Sequence, residues 1–255
     1  MFVAIWLLGC NAIEDAKDAV DGATETTILQ ASILAVQDPQ DPTLGPLLEN
    51  SPFAPGTAGT AFLADASSPS EMENSPVEGA TVDVEGDPMP EKEAGFYAIT
   101  PDAGPQYDVG ALWTITIDRG DGEGPRTATV ELPAPAENVL DATGIGGSVN
   151  HTAGTELSID LTGRGYASSI VAVIGPDGEL AYSNQPETLT ELYDAMQSEE
   201  AGEFTIPATA FAEPGLYAVG IAGLNNTKAD DLDGLNTVIS KVRAGQMNFY
   251  PVNVE

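Results

Sequence analysis

Basic side chains are scarce in this 255-residue chain: 8 Lys and Arg stand against 40 Asp and Glu, leaving a net charge of −32. A surface of that sign repels the phosphates of nucleic acids and the headgroups of anionic lipids, which excludes both as binding partners. Cysteine occurs once, at Cys10, so no disulfide can close within the chain and the fold must rest on its core. Histidine also occurs once, which excludes a three-histidine zinc site. Ser-His-Asp chemistry would depend on His151 alone, and no Gly-x-Ser-x-Gly turn is present to display a serine. No glycine-rich phosphate loop leads into a helix, and no apolar run approaches the roughly 20 residues that carry a helix across a bilayer.

What remains is the composition of a globular protein. Hydrophobic residues make up 42% and mean hydropathy is −0.06, enough apolar matter for one large core or two ordinary ones. Lysine is reduced to Lys17, Lys92, Lys228 and Lys241. Acidic gain with lysine loss resembles proteins of salt-adapted bacteria, in composition only, and suits a strongly hydrated surface.

Along the chain, Trp113, Ile115 and Ile117 alternate with Thr114, Thr116 and Asp118, and Val82 and Val84 alternate in the same way. Period two with one polar face predicts antiparallel strands half-buried in a sheet. Comparable runs lie at 60–64, 80–85, 95–100, 112–118 and 126–132, after a β-branched start over 26–36. Six more follow at 156–162, 169–174, 180–183, 203–207, 216–222 and 246–254. Gly175-Pro176-Asp177-Gly178 predicts a hairpin turn, proline fixing one φ and glycine taking the positive one.

Pro133-Ala134-Pro135-Ala136-Glu137-Asn138 reads as a linker, because its two prolines interrupt strand pairing. The fold is therefore expected to be mainly β: two tandem Ig-like β-sandwich domains, 27–132 and 139–255, joined by the Pro-rich linker 133–138. One short helix is expected in the second, over 186–197, where Leu189, Leu192, Tyr193 and Met196 recur at helical spacing behind a Thr188–Glu191 capping box. The pattern of 231–243 fits helix and strand equally. Gly-Phe-Tyr-Ala at 95–98 and Gly-Leu-Tyr-Ala at 215–218 suggest equivalent strands of related domains. Pro76-Val-Glu-Gly-Ala-Thr-Val-Asp-Val resembles the opening of Ig-like and carboxypeptidase-regulatory-like domains of surface lipoproteins, which implies a sandwich and no particular activity.

The N-terminus carries the one specific motif. Phe-Val-Ala-Ile-Trp-Leu-Leu at 2–8 ends at Gly9 and Cys10, after which the chain turns polar at once. Leu7-Leu8-Gly9-Cys10 resembles the bacterial lipobox. That resemblance implies cleavage before Cys10, lipidation of its sulfur, and a protein held on a membrane of the bacterial cell envelope through the lipid. Residues 1–9 are then the lipoprotein signal peptide, truncated, and 10–26 the lipidated cysteine with a polar, Ala-rich tether. No Lys or Arg precedes Cys10, so the true start codon is expected upstream. Asn11, where aspartate would signal retention, resembles the sorting pattern of enteric bacteria and favours the outer membrane or cell surface over the inner membrane.

Among ligands, calcium suits the composition best because oxygens alone bind it. Two clusters are candidates: Asp230, Asp231 and Asp233, and Asp118, Asp121 and Glu123. The run Asp230-Asp231-Leu232-Asp233-Gly234 resembles part of an EF-hand loop, but Ala229 and Ser240 hold its first and last ligand positions. A solvated acidic loop is the simpler account of each. Arg119-Gly120-Asp121 spells the integrin-recognition tripeptide and reads as coincidence in a glycine-rich hairpin. No catalytic residue and no cofactor is indicated. The leading expectation is a non-catalytic binding or structural module with a protein, glycan or cation partner. The alternatives are a calcium-dependent adhesion module and an exported hydrolase whose acidic catalytic residues are hidden among 40 carboxylates.

The net charge predicts a salt response. Raising monovalent salt from roughly 0.1 M to 1 M shortens the Debye length from about 10 Å to about 3 Å, and the Tm should rise as self-repulsion is screened. A Tm that stays flat over that range contradicts it.

Overall fold

A computed structural model describes residues 27–39, 41–49, 51, 53–140, 148–185, 191 and 201–255. Cys10 and its flanks lie outside the described residues, as does the helix expected over 186–197 apart from Glu191. The chain is mainly β. β1 (Thr27–Val36) and β2 (Gly56–Asp65) form an antiparallel pair, joined through a single-turn helix, α1 (Gly45–Leu48), with Pro46 near its start. Proline is tolerated there because the first helical N–H groups have no intrahelical acceptor. Then come β3 (Thr81–Val84), β4 (Asp87–Pro88), β5 (Glu91–Glu93), β6 (Phe96–Ile99), β7 (Leu112–Asp118) and β8 (Arg126–Glu131). Past residues 133–138 follow β9 (Val149–His151), β10 (Leu157–Asp160), β11 (Ser168–Ile174), β12 (Leu180–Ser183), β13 (Glu203–Ile206) and β14 (Gly215–Asn226). β15 (Leu232–Asp233) and β16 (Lys241–Val254) complete the chain.

Strands from both sides of the 133–138 stretch join one large sheet in the order β12-β11-β14-β16-β1-β2-β6-β5. The long β16 makes this possible. Along one edge it is antiparallel to β14 over the whole of Gly215–Asn226. On its other edge, Lys241–Met247 runs parallel to Gln30–Val36 of β1, and Val252–Val254 runs parallel to Val149–His151. The expected boundary at 133–138 therefore does not divide two separate sheets.

Two smaller sheets cover one face of the large one, β15-β8-β7-β3-β4 over the first half and β10-β13 over the second. Alternation decides which residues meet. Leu29, Ala31 and Ile33 of β1 and Leu63 of β2 pack on Val82, Trp113, Ile115, Ile117, Ala128 and Val130. Leu232, Leu235, Val242 and Ala244 enter that same core from the far end of the chain. The second core joins Val171, Val173, Val219, Ile221 and Val252 to Ile159, Leu161, Ile206 and Phe211. On the opposite face, Leu44, Leu48 and Phe53 cover Leu34, Val36, Ile170 and Met247.

The Gly-Phe-Tyr-Ala and Gly-Leu-Tyr-Ala segments hold their tyrosines in a similar way. Tyr97 and Tyr217 are both buried, one in each core, and each hydroxyl donates to a backbone carbonyl, that of Val77 at 3.0 Å and of Glu213 at 2.9 Å. The expected hairpin turn forms, Gly178 taking φ 79 and donating its N–H to the Gly175 carbonyl at 3.0 Å. Residues 231–243 are neither one helix nor one strand: a 3-10 turn at Ala229–Asp231 leads through β15 and a loop into β16.

The 133–138 stretch is clasped rather than free. Tyr107 donates its hydroxyl to Pro133 O, and Tyr250 donates to Ala136 O. Arg164 donates to Glu137 O at 2.7 Å and Asn138 O at 3.2 Å. Burial raises the pKa of both tyrosines, which keeps them protonated as donors. Beside this seam the ring of Tyr166 lies flat on Gly223, where a Cβ would stand 2.4 Å from the ring. Only glycine leaves room for that contact.

Candidate functional site

The β7–β8 hairpin places Asp118, Asp121 and Glu123 on one loop, but their carboxylates face partners of their own. Asp118 accepts the Gly120 N–H at 2.8 Å, and Asp121 accepts the Glu123 N–H at 3.0 Å. Arg126 donates to Glu123 at 2.7 Å and lies 3.0 Å from Asp121. The hydrogen bond from the Glu123 N–H, then that from Arg126, holds the Asp121 carboxyl below the usual carboxylate range. The counter-charge for Asp121 and Glu123 is thus a buried guanidinium.

Arg119 points inward from the same hairpin. Its two Nη atoms grip Asp65 at 2.7 and 2.6 Å, and Nη1 also donates to Thr27 Oγ1 at 2.7 Å. The Arg119-Gly120-Asp121 tripeptide therefore presents no free arginine. Two-point contact of this kind is the strongest form of a surface ion pair. It fastens the hairpin to the last residue of β2 and to the first of β1.

The second acidic cluster is dispersed by its own secondary structure. Asp230 and Asp231 lie in the 3-10 turn and Asp233 in β15, all exposed, while Leu232 between them is buried in the first core. Asp231 accepts the Lys228 N–H at 3.2 Å. Among the described residues no three of Asp, Glu, His and Cys are placed to share a metal. His151 stands edge-on to Phe211 at 4.7 Å, with Nε2 3.1 Å from the Thr155 carbonyl oxygen. It is a packed strand residue.

Two features lie outside the sequence expectations. The first is a cleft of about 540 Å³ between Gln37, Asp38, Pro39 and Asp41 on one side and Glu137, Asn138, Asn248, Phe249, Tyr250 and Pro251 on the other. It opens where β1 has left β16, Gln37 donating to Met247 O at 3.3 Å, and before β9 rejoins at Val252. By strand alternation, Phe249 and Pro251 turn their backbone to the same edge as Met247. Proline has no N–H to leave unpaired at such a gap. Asp38, Asp41 and Glu137 give the rim negative charge, and among the described residues no basic side chain lines it.

The second is Arg243, which is 2% exposed on the opposite face of the large sheet. Its Nε donates to Ser32 Oγ at 3.0 Å, and none of the ion pairs among the described residues includes it. Burial pushes its pKa down to about 10, so it stays cationic at neutral pH. Withdrawing an ion from water costs on the order of several kcal/mol unless a counter-charge offsets it. The available signal was its place between Val242 and Ala244, which turns it away from the core that those two residues enter.

No family model matches the chain, and a search among curated proteins found no significant relative.

The Arg119 clamp is testable in isolation. Asp65 and Arg119 are partly exposed, so a double-mutant cycle with Arg119→Ala and Asp65→Ala should give a coupling of about 1 kcal/mol, falling at high salt. Strict additivity of the two single substitutions would mean that the contact contributes nothing to stability.

Proposed function

We propose that this protein is a lipid-anchored, non-catalytic module of a bacterial cell envelope, carried on Cys10 and facing the outer membrane or cell surface. The observation that carries the reading is the sequence Leu7-Leu8-Gly9-Cys10, followed at once by a polar, acidic segment that runs into β1. The way β1 is held suits an anchor. It lies inside the large sheet with β16 on one edge and β2 on the other, so a pull through Cys10 would meet a strand hydrogen-bonded on both sides. Thr27 at its start is held further, by Arg119 through Oγ1 and by the Asn236 N–H through its carbonyl.

The body then acts by what it presents. Its charge of −32 keeps it hydrated and extends a repulsive field about one Debye length into the medium. The cleft beside Asn248–Pro251, with carboxylates and amides on its rim, is the concavity a partner would meet.

Expression of the gene with its upstream region, in a bacterium fed labelled palmitate, tests the anchor. The wild-type protein should take up label and partition with membranes, and Cys10→Ser should abolish both. An unlabelled wild-type protein in the soluble fraction would remove the basis of the reading.

A further inference from the structure

The lane beside β16 that β1 and β9 share is interrupted at one place. β1 leaves it after the bond from the Gln37 N–H to Met247 O, and β9 enters it at Val252. Continued parallel pairing would next need the N–H of residue 39 to reach Phe249 O. Residue 39 is proline, which has no N–H, so the ladder stops. Phe249 turns both its N–H and its C=O to this edge, and among the described residues neither has a hydrogen-bond partner there. Asn248, in the wall of the same cleft, has a buried Oδ1 that likewise accepts nothing. Carboxylates flank the gap from both faces of the sheet. Asp41 stands beside α1, its carbonyl taking the Leu44 N–H, and Glu137 follows Ala136 of the second core. Arg164 lies beside the rim, but its Nη atoms are engaged by the carbonyls of Glu137 and Asn138.

We propose that this gap is a strand-addition site for an extended segment of a partner protein that carries consecutive basic residues. The backbone edge selects the class of ligand. A bare cation would satisfy the carboxylates but meet the Phe249 N–H with the wrong sign. A peptide unit brings an acceptor for that N–H and a donor for the C=O beside it. From Met247 to Val252 the strand rises about 17 Å, and the ends of β1 and β9 take part of that, so about three residues fit. Successive side chains of an added strand point to opposite faces, where one basic residue meets Glu137 and the next meets Asp41. Asp38, exposed on the rim, adds a third carboxylate. The inference rests on the reading of the body as a binding module and deepens it, but does not rest on the anchor at Cys10, so the two can fail separately.

Binding of a capped tetrapeptide, Thr-Lys-Arg-Thr, to the full chain in neutral detergent at about 0.15 M salt tests the proposal. The expected Kd is at or below about 100 μM. With the peptide saturating, the Phe249 amide should exchange at least about tenfold more slowly, followed by NMR. Asp38→Asn with Glu137→Gln should weaken binding about tenfold. Glu93→Gln with Asp102→Asn, the same change of charge on exposed residues outside the cleft, should leave it within about twofold. N-methylation of the Lys and Arg amides keeps the charge and removes the donor to Phe249 O, and should weaken binding about tenfold. Putrescine, of equal charge and without amides, should bind at least about tenfold more weakly than the peptide. Absence of binding up to about 1 mM overturns the proposal. So does equal weakening by the two double variants, undiminished binding of the N-methylated peptide, or an unchanged Phe249 exchange rate. Equal binding of putrescine overturns it too, because the cleft would then take small organic cations and not a strand.

Discussion

The parallel pairing of β1 with the first half of β16 is the constraint on which the molecule depends. It brings the first described strand against the last, seven residues of register from Gln30–Lys241 to Val36–Met247. Without it the first core would lose Val242 and Ala244 from its wall, and the turn that carries Leu232 and Leu235 into that core would have no strand to follow. The same β16 supplies Val252 and Val254 to the second core. Burying the two halves under one sheet makes their stabilities interdependent, since a strand shared by both cannot leave one alone.

Electrostatics works on this frame through very few cations. Each arginine stands at a joint. Arg119 ties the β7–β8 hairpin to the start of β1, and Arg126 holds the carboxylates of that hairpin. Arg164 holds the carbonyls of Glu137 and Asn138, at the seam where the chain passes from one core to the other. Arg243 sits under the sheet beside Ser32. In a chain of net charge −32 the acids fill the surface and the arginines are kept for positions where a specific contact fixes the fold.

How much of this was legible depended on whether a strand was buried on one face or on two. β7 and β8 alternate polar and apolar because one face of each is open, and their bounds were readable nearly to the residue. β16 is buried almost throughout its first seven residues, so its alternation is lost, and the pattern of 231–243 fitted helix and strand alike. β9 and α1 are three and four residues long, too short for any period to show. The sharing of one sheet was not legible from the linker, because prolines at 133 and 135 interrupt a strand without saying whether the sheets on either side are separate. A hint did exist. The unbroken apolar runs at Ile170–Ile174 and Ala218–Ile221 mark strands covered on both sides, which a pair of free-standing sandwiches would need less. The partners of the Asp118, Asp121 and Glu123 cluster were not legible for a different reason. Composition shows every carboxylate and hides which of them an arginine has already engaged.

Native-state hydrogen exchange on the intact chain tests the shared sheet most directly. If β16 binds the two halves into one unit, the slowest amides of β1 and of β11 should open with the same free energy, and denaturant should lower both with the same slope. Two distinct opening energies, one for 27–132 and another for 139–255, would show two independent domains and contradict the account.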